Sequence, residues 1–129
     1  MSLYTKNATK KLRYEAERKE NPRAILRNLR VAPRKMRMLA DMIRGKKIDE
    51  AMALLTFTPK YGAKILQKLV MSAVYNAENQ GLDDSERLCI KSIFVNEGPI
   101  MKWRRPRARG RAFRINKRTS HITVTVGEV

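Results

Sequence analysis

Lysine and arginine are concentrated in one short stretch near the end of the chain, between residues 102 and 118. Guanidinium and ammonium groups bind phosphate oxygens, and arginine does so through two parallel hydrogen bonds. No acidic residue occurs between Gly98 and Gly127, so nothing within the stretch neutralises its charge. The chemistry indicated is the binding of a polyanion. Nine residues carry it: Lys102, Arg104, Arg105, Arg107, Arg109, Arg111, Arg114, Lys117 and Arg118.

Catalytic and metal-binding patterns are absent from the sequence. His121 is the only histidine and Cys89 the only cysteine, so neither a nucleophile with its base nor a zinc-binding set is available. Asp83, Asp84 and Glu86 cluster, but they lack the alternating ligand pattern of a calcium loop. We therefore expect no catalytic residue, no metal and no cofactor.

Two aromatic residues, Trp103 and Phe113, flank the centre of the basic stretch. Aromatic rings beside cations are typical of proteins that stack on unpaired bases, at about 1–3 kcal/mol per base. The same residues also suit a cross-strand pair that stabilises a β-ribbon by about 0.2–1 kcal/mol. Both interpretations stay open. His121, expected on the outer face of its strand, is likewise either a polar surface residue or a phosphate or base contact.

A β-hairpin over about residues 88–126 is predicted to position the cations, with its tip at about residues 107–111. Both flanking segments are strand-forming, and Pro106 and Gly110 supply turn chemistry between them. An arm of about twenty residues is on the order of 65 Å long, whereas a globule of this chain has a radius of gyration of about 14 Å. The outer half must therefore protrude. A ribbon alone in water is marginally stable, so we expect the polyanion to order it.

Three helices are predicted between residues 33 and 79. The first begins at Pro33 and ends before Gly45, the second covers residues 48–57, and the third begins with Thr58 as N-cap and ends near residue 79. On the first helix, Arg34, Lys35 and Arg37 face outward, where solvation and RNA contact are both open. The predicted buried stripes are Met36, Leu39, Ala40 and Ile43; Ala51, Leu54 and Leu55; and Leu66, Leu69, Val70, Ala73, Val74 and Ala77.

A small antiparallel sheet is predicted to pack on these helices. Residues 23–31 form one strand, with Ile25, Leu29 and Val31 on one side and Leu26 breaking the alternation. The base of the hairpin supplies the others, with an apolar face of Ile93, Val95, Ile122, Val124 and Val126. The fold class expected is α+β, a small antiparallel sheet packed on three helices with a long protruding basic β-hairpin.

The whole chain has 129 residues and a formal net charge of +17, the electrostatic footprint of a nucleic-acid-binding protein. Residues 1–22 are interpreted as a basic N-terminal tail and residues 23–129 as a single domain. No apolar run is long enough to span a membrane, no signal peptide is evident, and the lone cysteine suits a reduced compartment. We expect a cytoplasmic protein with no membrane partner and no homo-oligomer.

The segment KWRRPRARGR, followed after nine residues by HITVTV, resembles the signature of the twenty-second protein family of the large ribosomal subunit, in its bacterial type. Segments 32–55 and 91–102 are similar to the family in the same order, so the resemblance covers about residues 23–127. The signature positions are Lys102, Arg107, Ala108, Gly110, Arg111, His121, Ile122, Val124 and Val126.

This resemblance implies a structural protein that binds large-subunit rRNA early in assembly and lies beside other ribosomal proteins near the exit tunnel. Its hairpin would thread through rRNA, and alterations there are associated with macrolide resistance. The tip residues Arg107, Ala108, Arg109, Gly110 and Arg111 would line the tunnel that the nascent polypeptide follows. The other rRNA contacts expected are Arg34, Lys35, Arg37, the remaining hairpin cations and His121.

The alternative function is an architectural DNA-binding protein that uses the basic hairpin as a β-ribbon arm in the minor groove. Such proteins generally need a dimer interface, and the sequence shows no surplus apolar helix face to build one. The oligomeric state of the free protein separates the two functions.

Overall fold

The structure is a computed structural model that describes residues 9–16, 21–82 and 87–128. It has the predicted α+β fold, with a three-stranded antiparallel sheet and a separate two-stranded ribbon. In chain order the elements are α1 (residues 9–16), β1 (Arg23–Leu29), α2 (Pro33–Ile43), α3 (Ile48–Phe57), α4 (Tyr61–Glu78), β2 (Leu88–Glu97), β3 (Met101–Pro106), a 3-10 turn (Ala108–Gly110), β4 (Ala112–Lys117) and β5 (Ser120–Glu128).

One face of the three-stranded sheet, in the order β1-β5-β2, is covered by helices. Helix α2 packs mainly on β2, α4 packs on β1 and β5, and α3 packs against α4. The five apolar residues predicted at the hairpin base are all buried, as are the predicted stripes of α2 and α4. These predictions are confirmed. Burial of an apolar stripe is what holds an amphipathic helix on a sheet. On α3, Leu54 is only half-buried, and Ile48 takes an inner position instead.

The predicted start of the third helix was wrong by two residues. The Thr58 hydroxyl donates a hydrogen bond to the Leu54 carbonyl oxygen at 2.7 Å, so Thr58 closes α3 instead of capping α4. Helix α4 begins at Tyr61 after Lys60, whose side chain makes no capping hydrogen bond. A threonine hydroxyl bonds either way along the chain, and here it bonds backwards.

The prediction for the inner face of β1 was wrong at Ile25, whereas Leu29 and Val31 do pack against the core. Ala24 is buried and Leu26 is half-buried, whereas Ile25 is 45% exposed on the outer face of the sheet. The register of β1 against β5 shifts between Leu26 and Leu29, at Asn28, whose φ is 55°. This bulge lets two leucines three residues apart both face the core. Leu26, which breaks the alternation in the sequence, is therefore one of the residues of β1 that face the core.

The outer edge of β2 is closed by the segment after α2 and by two arginine side chains. Gly45 N–H donates to the Ile90 carbonyl oxygen, and Arg44 Nη2 donates to that of Ile93 at 3.1 Å. Arg37 Nε donates to the Val95 carbonyl oxygen at 3.3 Å. Covering an edge strand in this way prevents it from pairing with another chain.

Parts of two sequence predictions lie outside the described residues. The N-terminal tail is described only at residues 9–16, which are helical and exposed, and at 21–22. The acidic cluster at Asp83, Asp84 and Glu86 is not described. Among the residues that are, no group of acidic, histidine or cysteine side chains is arranged to hold a metal ion, and no helix is long and apolar enough to cross a membrane.

Candidate nucleic-acid interface

The basic stretch forms an antiparallel ribbon of β3 and β4, which pair with each other and with no other described strand. Register runs from Met101 opposite Lys117 to Pro106 opposite Ala112. Residues 107–111 make the turn, closed by a hydrogen bond of 2.7 Å from Arg107 N–H to the Arg111 carbonyl oxygen. We call residues 101–117 the ribbon. Every side chain in it is exposed except the half-buried Ile115.

The register divides the ribbon into two chemically different faces, because successive side chains of a strand point to opposite sides. The basic face carries Lys102, Arg104, Arg114 and Asn116, and Arg104 lies directly opposite Arg114. Like charges in that position destabilise a strand pair. The other face, here called the mixed face, carries Met101, Trp103, Arg105, Phe113, Ile115 and Lys117.

Carboxylates do not relieve this repulsion within the described chain. The ion pairs there join Lys11 to Glu15, Arg44 to Asp41 and Lys46 to Glu50, all outside the ribbon. The ribbon cations therefore keep their capacity to bind an external anion. Arg118, the ninth cation of the stretch, follows β4 directly and is also exposed.

Trp103 and Phe113 share the mixed face but are diagonal neighbours. Trp103 lies opposite Ile115, and Phe113 lies opposite Arg105. The Arg107 guanidinium carbon stands 5.6 Å from the Phe113 ring centroid, a cation–π distance. Trp103 is 62% exposed, so its ring retains free area. The two rings are therefore not directly opposed, and both a diagonal cross-strand pair and stacking on bases stay predictions.

At the tip, Arg109 and Gly110 both adopt left-handed backbone conformations, with φ of 63° and 67°. This conformation suits glycine, whereas it costs other residues about 1–2 kcal/mol. An arginine held there carries a charge at the far end of the ribbon in spite of that cost.

The root of the ribbon is packed around Gly98 and Thr119. Gly98 N–H donates to the Thr119 carbonyl oxygen at 2.9 Å, and the Thr119 hydroxyl donates to the Pro99 carbonyl oxygen at 2.8 Å. Thr119 is only 1% exposed. A methyl group on Gly98 would collide with the Thr119 hydroxyl and lie 3.2 Å from His121 Cε1. These contacts set the direction in which the ribbon leaves the sheet.

His121 also lies at this root, where its Nδ1 accepts a hydrogen bond of 3.0 Å from Asn28 N–H. The imidazole therefore supports the β1 bulge, which is a structural role that the sequence did not indicate. A contact between its other ring nitrogen, Nε2, and RNA stays a prediction. Arg37 similarly has a partner in the Val95 carbonyl oxygen, so of the three α2 candidates it alone has a described hydrogen bond to β2.

Arg34 and Lys35 lie instead on a groove that the sequence did not reveal, between the start of α2 and the start of α4. Arg30, Lys60 and Tyr61 join them there. Thirty residues separate Arg30 from Lys60, and no local pattern indicates that folding brings them together.

Comparison with protein-family models gives a match, described as ribosomal protein L22p/L17e, over residues 24–127. The matched span begins at the second residue of β1 and ends at the last but one residue of β5, so it includes the whole ribbon. It therefore covers both the sheet-and-helix domain and the basic arm that leaves it.

Proposed function

This chain belongs to the ribosomal protein L22p/L17e family, and on that premise we propose that the ribbon is the arm through which it holds large-subunit rRNA. Family membership makes the protein a structural, rRNA-binding constituent of the large ribosomal subunit, and hence part of a ribonucleoprotein that acts in translation. Its partners are rRNA and other ribosomal proteins. Proteins of this kind are generally not enzymes.

The observation that supports the ribbon as the binding arm is its uncompensated charge. Arg104 faces Arg114 across the strand pair, and no described carboxylate pairs with either. Phosphate oxygens between such side chains turn a repulsive contact into two attractive ones. The surrounding fold makes this possible, because the core is complete without the ribbon.

In the assembled subunit, we propose that the helix-covered sheet lies at the outer surface near the exit tunnel. The ribbon then runs inward through rRNA, and residues 107–111 form part of the tunnel wall that the nascent polypeptide passes. Docking of this arm supports subunit assembly. We further propose that the protein is cytoplasmic, contacts no membrane, and is a monomer before it assembles. The family membership supports this place in the large subunit. The exposed ribbon, with Arg109 held in a left-handed conformation at its tip, supports the contact with the tunnel wall.

The test is the salt dependence of binding to deproteinised large-subunit rRNA. Replacing Arg107, Arg109 and Arg111 by alanine should flatten the slope of log affinity against log salt by about 0.7–0.9 for each phosphate that is no longer neutralised, roughly 2–3 in all. A control variant removes the same charge from exposed lysines outside the ribbon: Lys47→Ala, Lys64→Ala and Lys68→Ala.

Equal slopes for the two triple variants would refute a special role of the ribbon. A DNA duplex of matched length serves as competitor. Tighter binding to that duplex, together with a stable dimer in sedimentation, would identify the protein as the architectural DNA-binding alternative.

A further inference from the structure

The groove beside α2 and α4 is a second positively charged surface, built on the folded domain and not on the ribbon. Its volume is about 730 Å³, within the range of about 300–1,000 Å³ for small-ligand sites. Among its lining residues, Arg30, Arg34, Lys35 and Lys60 are cationic and none is acidic. The apolar part of its lining comes from Val31, Ala32, Met36, Met38, Leu39, Tyr61 and Gly62.

At the floor of the groove, α4 packs closely against α2. A methyl group on Gly62 would lie 2.6 Å from Met36 Sδ and 2.9 Å from Leu39 Cδ1, so any side chain there would have to displace these two residues. Met36 and Leu39 are themselves buried in the core. The groove is therefore preformed and needs no ordering of its floor when a ligand binds.

Tyr61, at the first position of α4, stands at this groove with 77% of its surface exposed. Beside it, Lys60 Nζ lies 3.3 Å from Met38 Sδ, which places an ammonium group over the apolar lining. Neither α2 nor α4 has an acidic residue in its first turn, so the start of neither helix opposes the positive potential of the rim.

A ligand that matches this groove has a flat apolar part and adjacent negative charge. An unpaired nucleotide has both, because its base stacks on an aromatic ring while its phosphates remain at the rim. A base inside a duplex presents no free ring face, so paired RNA does not fit. An acidic peptide satisfies the cations but leaves the exposed tyrosine ring without a planar partner.

We propose that this groove binds one unpaired nucleotide of RNA, with the base against Tyr61 and the phosphates on Arg30, Arg34, Lys35 and Lys60. The proposal rests on the proposed function, since large-subunit rRNA is then the source of the nucleotide. It adds a site on the folded domain that reads single-stranded RNA by stacking, beside the ribbon's electrostatic contacts.

Two exposed tyrosines on α4 provide a matched pair for the test. Tyr61 lies in the groove, and Tyr75 is 54% exposed further along the same helix and does not line it. The full-length protein is titrated with a short oligouridylate, which does not pair with itself, and with large-subunit rRNA. Circular dichroism and thermal unfolding verify that both variants fold.

We expect Tyr61→Ala to weaken oligouridylate binding by about 5- to 150-fold, the effect typical of removing one stacked base. Tyr61→Phe should keep most of the affinity, and Tyr75→Ala should bind as the unsubstituted protein does. Ultraviolet irradiation of the complex with large-subunit rRNA should attach a nucleotide to the peptide containing Tyr61.

Equal affinities of Tyr61→Ala and Tyr75→Ala would overturn the groove proposal. If the Arg107, Arg109 and Arg111 triple variant were still impaired in that case, the proposed function would stand without it. If the unsubstituted protein failed to bind large-subunit rRNA, both would be overturned. Loss of affinity for an acidic ribosomal protein, with RNA binding intact, would likewise overturn the nucleotide as occupant.

Discussion

Replacing Gly98 by alanine is the most direct perturbation of the joint between the sheet and the ribbon. The added methyl group collides with the Thr119 hydroxyl, which is buried and has no room to swing into solvent. Displacing Thr119 breaks two hydrogen bonds, one from Gly98 N–H and one to the Pro99 carbonyl oxygen. At about 0.5–1.5 kcal/mol each, breaking them costs about 1–3 kcal/mol.

Alanine also restricts the unfolded chain, which returns about 0.4–1 kcal/mol to the free energy of unfolding. The expected net destabilisation is therefore about 0–2.6 kcal/mol, with a middle value of about 1.3 kcal/mol. With a urea dependence of about 2 kcal/mol/M, the middle of the usual range, the unfolding midpoint should fall by roughly 0.7 M. Binding of large-subunit rRNA should weaken as well, since the ribbon no longer leaves the sheet in a fixed direction.

Gly127→Ala is the matched control, because it makes the same chemical change in β5. There the added methyl group meets only the far end of the Lys91 side chain, which is exposed and able to move aside. We expect it to be as stable as the unsubstituted protein or slightly more so. If Gly98→Ala matched Gly127→Ala in both unfolding midpoint and rRNA affinity, the contacts at the root would not be what fixes the ribbon.

Three further predictions concern the ribbon. In the free protein, amide exchange should be slow in α4 and fast in the ribbon, and rRNA should slow it there; strong protection without RNA would show that the ribbon is ordered by itself. Arg109→Gly should remove the energetic cost of the left-handed conformation, yet flatten the slope of log affinity against log salt by about 0.7–0.9. An unchanged slope would mean that Arg109 contacts no phosphate. Deleting Met101–Trp103 removes an odd number of residues, which swaps the faces or shifts the register and displaces the tip by at least one strand spacing, about 4.8 Å. Ribosomes with this deletion should assemble and show altered macrolide sensitivity; normal sensitivity with an unmoved tip would contradict the tunnel proposal.

The buried faces of the helices and of β5 were predictable from the sequence, because each appears as a regular spacing of apolar residues within one element. The stripe of α2 at Met36, Leu39, Ala40 and Ile43 repeats with the helix period, and all four residues are buried. Alternation at Ile122, Val124 and Val126 likewise gave the inner face of β5. In both cases the hydrophobic effect acts on a local pattern, so no knowledge of the partners was needed.

Features that depend on one hydrogen bond or on distant pairing were not predictable. Which residues of β1 face the core depends on the bulge at Asn28, whose N–H donates a hydrogen bond to His121 on β5. The start of α4 depends on whether the Thr58 hydroxyl caps the following helix or donates a hydrogen bond to the Leu54 carbonyl oxygen of the preceding one. The groove requires Arg30 and Lys60 to meet through packing of α4 against α2. None of these leaves a periodic signal.

The central claim is that the ribbon holds large-subunit rRNA, and crosslinking in cells tests it most directly. The protein is irradiated in place, the fragment containing residues 101–118 is isolated, and the attached nucleic acid is sequenced. We expect large-subunit rRNA on this fragment, in an amount that falls when Arg107, Arg109 and Arg111 are replaced by alanine. Recovery of DNA or of unrelated RNA on the ribbon, without large-subunit rRNA, would contradict the claim.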